Sequence, residues 1–276
     1  MDEGWFAGID PEDTAAAVET IRSGGATEPA DWPSRAVDSG FVESVDDYYD
    51  RLRDATLTAA RAGVTERERS DDQQLIHAIR AMDDCQRQAN ELAERLAEWA
   101  GSRYDDAGTG IEYARELAAH DPDDPVGREV VALAERVAGL DDQADRLREF
   151  VERTAPDVAP NLSTLAGPTL AARLISLAGG LESLAKQPSG TVQVLGAEDA
   201  LFAHLRGEAP SPKHGVIYTH EYVRNTRRGE RGSAARALAG KLSIAARVDH
   251  YSGDRRPELA AELDDRIERI RARDSE

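Results

Sequence analysis

The chain has 276 residues, 40% of them hydrophobic and 32% charged, with 53 acidic against 34 basic side chains and a formal net charge of −19. That length suffices for one large or two modest cores. No run approaches the ~18 uninterrupted apolar residues of a membrane helix, and the single cysteine, Cys85, excludes an intrachain disulfide and a cysteine-based metal site.

Acidity on this scale disfavours nucleic acid on average, and it fits a protein adapted to high salt, where charge is screened. The average hides an asymmetry. Residues 161–256 hold 13 Lys/Arg against 8 Asp/Glu, a net of +5, so the remainder carries −24. One basic module sits in a very acidic chain. The start, Met1-Asp2-Glu3-Gly4-Trp5, lacks the basic segment of a signal peptide, so the expected location is cytoplasmic with no membrane contact.

In chain order, residues 1–65 mix short elements with turn signals (Ser23-Gly24-Gly25, Glu28-Pro29, Trp32-Pro33) and hold 6 of the 14 aromatics. A small mixed α/β region is expected there, marginal as a core by itself. Residues 66–156 read as a helical hairpin. Leu75, Ala78, Met82, Cys85, Ala89, Leu92, Leu96 and Trp99 keep an a/d heptad register. Val130, Leu133, Val137, Leu140, Ala144, Leu147 and Val151 repeat it, with Arg and Glu/Asp outward. Ile111–Ala119 is expected as a short connecting helix, and Cys85 as a buried, inert thiol. The register is compatible with two helices of an ordinary bundle. Sustained over more than three heptads, it points instead to a long antiparallel coiled coil that also dimerises, through Leu92, Leu96, Trp99, Val137, Leu140 and Leu147.

Residues 157–256 are expected as a compact α-helical domain. Pro168–Lys186 reads as one helix stopped before Pro188, Ala197–Leu205 as a second ending at Gly207, and Gly232–Asp249 as a third, alanine-rich and basic. Gly215-Val216-Ile217-Tyr218 is a short β-prone stretch. Residues 257–276 read as a solvated, charged helical tail.

Catalytic constellations are mostly absent. There is no Walker loop and no Gly-x-Ser-x-Gly elbow, and the six histidines lack metal-ligand spacing. Asp106-Ala107-Gly108-Thr109-Gly110 follows a helix rather than a strand and is read as a turn. A non-catalytic protein with no cofactor of its own is expected.

The basic module is richer in chemistry. Tyr222–Gly232 is a glycine-punctuated loop carrying Arg224, Arg227, Arg228 and Arg231, followed by Arg236 on the next helix. Arginine forks suit phosphate oxygens, and glycines let amides approach an RNA backbone. The competing reading is a solvated loop in a charged protein. Upstream, Lys186–Glu198 forms a helix end, a turn and a helix start. On chemistry alone Glu198 and Asp199 neutralise the dipole of the helix that follows.

Several segments carry a family resemblance. They are Asn161-Leu162-Ser163-Thr164-Leu165, Leu170–Leu181, Leu184-Ala185-Lys186-Gln187-Pro188, Thr191–Glu198 and Ala200-Leu201-Phe202, then Pro212-Lys213-His214-Gly215-Val216-Ile217-Tyr218 and Arg236–Lys241. In collinear order over residues 157–250 these resemble the Nop domain of archaeal and nucleolar core proteins of box C/D ribonucleoproteins. The Leu75–Phe150 hairpin resembles that family's coiled coil. The resemblance implies a scaffold for guide-directed RNA 2′-O-methylation that binds box C/D guide RNA, a kink-turn-binding protein of the ribosomal-protein type, fibrillarin, and a second copy of itself. S-adenosylmethionine would be carried by fibrillarin, not by this chain. Residue by residue it implies RNA contact at Lys186, Gln187, Gln193, Lys213 and His214, and a composite RNA and protein surface at Gly196, Ala197, Glu198 and Asp199. The family usually has lysine where this chain has Asp199. The N-terminal region looks shorter than the family's fibrillarin-binding domain, and a lysine-rich tail common in the family is missing. An assembly factor for kink-turn complexes without a methyltransferase partner stays open as the alternative.

Overall fold

The computed structural model describes residues 4–26 and 28–272. It divides into two compact units, Met1–Ser70 and Asp71–Glu276.

In the first unit, three helices start where side chains cap them. Asp13 accepts from the Ala16 amide at the head of α1 (Thr14–Ser23), Asp31 from Ser34 at α2 (Trp32–Asp38), and Ser44 from Asp47 at α3 (Val45–Glu68). Trp5, Phe6, Phe41 and Tyr48 cluster edge-to-face and stacked at 5.4–6.1 Å between ring centroids. The Trp5 indole donates to the Tyr48 hydroxyl at 3.2 Å, and burial raises the Tyr48 pKa. Arg22 of α1 pairs with Glu66 of α3. The expected α/β mixture is corrected here, because the described residues of this unit hold helices and no strand. The turn signals mark helix ends, and the aromatics fill one small core. Helix α3 runs to Glu68, past the expected boundary at residue 65.

The second unit begins with a hairpin of α4 (Asp71–Gly101) and α6 (Pro125–Val158), with α5 (Gly110–Ala118) between them. At 31 and 34 residues, the long helices extend about 46 and 51 Å. They are antiparallel. Gln86 meets Asp141 and Arg148 midway, while Arg103, just past α4, pairs with Asp124 at the start of α6. Arg115 of α5 bridges Asp141 and Asp142, 2.7 Å from each, and straps α5 onto α6. Cys85 is half-buried against the core.

The heptad reading needs adjustment near the end of α4. Its buried positions there are Ala89, Ala93, Leu96 and Ala100, the last three clustered with Val130, Ala134 and Val137. Small alanines let the two backbones approach, and the seam passes beside Trp99, which stays 40% exposed. Leu96 and Val137 are fully buried inside the chain's own hairpin, so neither is available to a second copy. Leu92, Leu140 and Leu147 are half-buried. The a/d pattern therefore reports the intrachain seam first.

Beyond the hairpin, α7 (Pro160–Ala166), α8 (Pro168–Ala178), α9 (Leu181–Lys186), α10 (Ser189–Val194), α11 (Glu198–Leu205), a 3-10 turn (Val216–Thr219) and α12 (Glu221–Arg224) lead to α13 (Arg231–Tyr251), which α14 (Glu258–Ala272) follows. Helix α13 packs against α7, α9, α10, α12 and α14. Its buried Ala234, Ala235, Ala239, Ala245 and Ala246 explain the alanine richness, since each small side chain lets a neighbouring helix come close.

Three sequence expectations change here. The single helix over Pro168–Lys186 is two, broken at Gly179 (φ +82°) and Gly180 (φ +133°), a pair of left-handed conformations that favour glycine. The restart is fixed by the Leu181 amide donating to the buried Asp72 carboxylate of α4 at 3.0 Å. The β-prone Gly215–Tyr218 stretch forms a 3-10 turn, although Gly215 and Val216 donate amides to the Gln193 and Leu195 carbonyls at 2.9 and 2.7 Å, as a strand would. The tail is not simply solvated. Leu259, Leu263, Ile267 and Ile270, at helical spacing, are buried in the main core, each adding roughly 2 kcal/mol of apolar burial. Residues 273–276 lie outside the described residues.

A buried polar junction ties α7 to the end of α13. Asp249 accepts from the Asn161 amide at 3.0 Å, from the Asn161 side-chain amide at 2.6 Å, and from the Leu162 amide at 2.9 Å. The Asn161 carboxamide also donates to the Asp254 carbonyl and accepts from the Arg256 amide. One side chain thus fixes the turn between α13 and α14.

Candidate nucleic-acid interface

The loop before the 3-10 turn and the head of α13 face each other across an open groove of about 560 Å³. Gly190, Gln193, Lys213, Gly229, Gly232 and Arg236 line it. The loop that carries Lys213 is held by backbone. A Cβ on Gly215 would lie 1.9 Å from the Leu195 carbonyl oxygen, so only glycine allows the close approach that anchors this loop. Gln193 donates its side-chain amide to the Lys213 carbonyl at 2.7 Å. Its first role is thus to place Lys213 at the rim.

The structure sorts the candidate cations. Among the described residues Lys213, Arg224, Arg228 and Arg236 are exposed, and their side chains make no ion pair or hydrogen bond. Arg231 is different. Half-buried, it donates to the Thr226 carbonyl at 3.0 Å and the Arg224 carbonyl at 3.3 Å, and lies 5.4 Å from the Tyr218 ring. It is a brace of the arginine loop, with its fork turned inward. Arg227 is exposed and reaches the Arg271 carbonyl at 3.3 Å. His214 stacks on Tyr218 at 4.7 Å. Burial, then the Arg231 charge, lower its pKa, so the ring is neutral near pH 7 and offers a stacking face rather than a cation.

Of the expected residues, Gln193, Lys213 and Arg236 line this groove, while His214, Arg224, Arg227, Arg228 and Arg231 and the others below are not part of its lining. Lys186 is exposed and held by Glu182 at 2.6 Å, and that carboxylate raises its pKa. The Gln187 carbonyl accepts from Ser243 and Arg247, which fasten the end of α9 to α13. Gly196 adopts φ +78°, and its amide donates to the Glu198 carboxylate at 2.8 Å, closing a local turn. Gly196 lines a separate cleft of about 820 Å³ with Leu177, Val216 and Tyr218 and with Asp83 and Arg173, whose side chains pair across it. Ala197 is half-buried, and Asp199 is exposed.

Helix α11 buries no residue at all, leaving Phe202 55% and Leu205 71% exposed. Sequence reading treated it as an ordinary helix. The apolar pair three residues apart, with no matching partner stripe nearby, was the available signal for an uncovered face. Among the described residues no cluster of three or more His, Cys, Asp or Glu side chains is placed to hold a metal, and no helix is long and apolar enough to cross a membrane.

A family profile described as "Nop: snoRNA binding domain, fibrillarin" matches residues 74–271, well over half of the chain. The chain belongs to the Nop family. Its similarity extends to an uncharacterised NOP5 family protein of Methanocaldococcus jannaschii, 32% identical over 269 residues, covering 84% of this chain and 65% of that protein. Nucleolar protein 56 of Saccharomyces cerevisiae is 32% identical over 235 residues, covering 70% of this chain and 47% of that protein. Nucleolar protein 58 of Schizosaccharomyces pombe is 33% identical over 218 residues, covering 66% and 43%. The chain thus spans less than two thirds of these Nop relatives. A solved chain in a crystal structure of a fibrillarin/Nop5p complex shares the fold, with a TM-score of 0.54 at 23% identity over 98% of this chain and 99% of that one.

Proposed function

We propose that this Nop protein is the RNA-binding scaffold of a box C/D ribonucleoprotein, positioning fibrillarin for guide-directed 2′-O-methylation. The observation that carries the reading is the groove beside Lys213 and Arg236. Lys213 and Arg236, without ion pair or hydrogen bond among the described residues, line it beside Gly190, Gly229 and Gly232, in a Nop-family chain whose sequence outside residues 161–256 carries a net −24. Cations without intramolecular partners are available for phosphates, and glycine-lined approaches suit a sugar–phosphate backbone. The exposed Phe202 and Leu205 on α11 supply an apolar face for the kink-turn-binding protein. The chain performs no chemistry in this reading. Fibrillarin holds S-adenosylmethionine, and the scaffold makes methyl transfer effectively intramolecular. The acidic surface suits a salt-rich cytoplasm.

A gel shift with a box C/D kink-turn RNA tests this. The full chain is expected to shift the RNA only after the small kink-turn protein is bound, and fibrillarin to shift the assembly again. Equal binding of bare and protein-loaded RNA would sink the composite-surface reading. A first shift without the second would identify an assembly factor lacking a methyltransferase partner.

Pairing of two copies through the hairpin belongs to the same proposal, with its contact at the end where Trp99 and Val126 are exposed. Light scattering should then return twice the 30.0 kDa chain mass. A mass equal to the chain's own at micromolar concentration would remove the dimer.

A further inference from the structure

A second groove opens along α13, beyond the first and sharing Ser233 and Arg236 with it. Its volume is about 430 Å³, and its walls include Lys241, Ile244 and, from α14, Arg266. We infer that this α13–α14 groove is a further phosphate-binding track, holding the backbone of an RNA helix that extends past the kink-turn. The inference rests on the scaffold reading above and deepens it.

Three features carry it. Arg236 and Arg266 are exposed and make no ion pair or hydrogen bond among the described residues. Lys241 is the third cation, and among the described residues its acidic partner is Glu262 of α14. The groove is also continuous with the first through Arg236, so a strand leaving the Lys213 rim meets these cations next. From Ser233 to Ile244 the track runs about 16 Å along the α13 axis, long enough for several phosphates. Arg266 enters from a helix that the sequence presents as a solvated tail. It reaches this groove because Leu263 and Ile267 hold α14 on the core, and Arg266 borders their buried stripe at the edge nearest α13.

Gel-shift titrations with two RNAs, both loaded with the small kink-turn protein, test the inference. One RNA is trimmed to the kink-turn, and the other carries an added stem of about one helical turn. Arg266→Glu should weaken binding of the extended RNA roughly tenfold, reduce its salt slope by about 1, and leave the trimmed RNA nearly unchanged. Glu262→Gln, which frees Lys241, should strengthen binding of the extended RNA alone, by roughly threefold. Both residues are exposed, and unchanged circular dichroism will show that the variants fold. Normal binding of both RNAs by Arg266→Glu, or equal weakening on both, overturns the inference and leaves the scaffold reading standing. No shift of either RNA by the unaltered chain overturns the scaffold reading, and this track with it.

Discussion

Replacing both Lys213 and Arg236 with glutamate should lower affinity for protein-loaded kink-turn RNA by roughly a hundredfold, with no loss of thermal stability. Both heads are exposed and without intramolecular partners among the described residues, so the fold loses nothing when they change, to within about 0.5 kcal/mol. Each cation lost removes one phosphate contact, and each carboxylate gained repels the same strand. Together these reach about 3 kcal/mol, which is two decades in affinity. The salt dependence is the sharper readout. The slope of log K against log salt should fall by about 2, one for each phosphate released. Arg231→Ala separates phosphate contact from loop architecture. Because its fork holds the Thr226 and Arg224 carbonyls, that variant should lose thermal stability as well as RNA. An unchanged affinity in the double glutamate variant would move the interface off this groove.

The largest effect on stability is expected from Asp249→Ala. The carboxylate accepts from two backbone amides and the Asn161 side chain, and the removal strands those donors at the head of α7. Charge-assisted bonds at a helix N-terminus are the strong kind, and unsatisfied buried donors cost about 1–3 kcal/mol each. Allowing for partial rescue by water at the half-exposed Asp249, the loss is about 3 kcal/mol. For a unit of this size the melting temperature should drop by about 10 °C. Asp249→Asn keeps the shape and one acceptor, so it should lose about half as much. Matching melting curves for Asp249→Ala and the unaltered chain would mean that the junction is held by apolar packing alone.

Much of the fold was legible because the helices announce themselves locally. Leu75 to Leu96 and Val130 to Val151 kept a seam spacing that packing then used, and Asp124-Pro125 marked the start of α6 with both a cap and a helix-starting proline. What failed was information that is not local. The heptad pattern shows that Leu96 and Val137 are buried but not against which chain, and the hairpin's own two arms satisfied it first. Residues 1–65 looked mixed because helix caps and strand turns draw on the same Ser, Asp, Gly and Pro. Leu259, Leu263, Ile267 and Ile270 carried a readable stripe that the surrounding charge obscured.

The candidate site divides in the same way. Residue types pointed to the basic module, and family resemblance pointed to Lys213 and His214. Neither separates Arg231, turned inward, from Arg228, turned outward, because that depends on where Tyr218 and the Thr226 carbonyl lie. The Asn161–Asp249 junction was invisible for a related reason. Its partners are 88 residues apart, and nothing in either segment alone calls for the other.

The anchoring of the Lys213 loop has a consequence for how association should proceed. With Gly215 and Val216 tied to α10 and its exit, and Gln193 holding the Lys213 carbonyl, the loop has already surrendered its backbone freedom in the unbound protein. Capture of RNA then requires no disorder-to-order step. The observed rate should follow collision frequency and ionic strength, rising linearly with protein concentration without a plateau, and the heat capacity change should report only the surface covered.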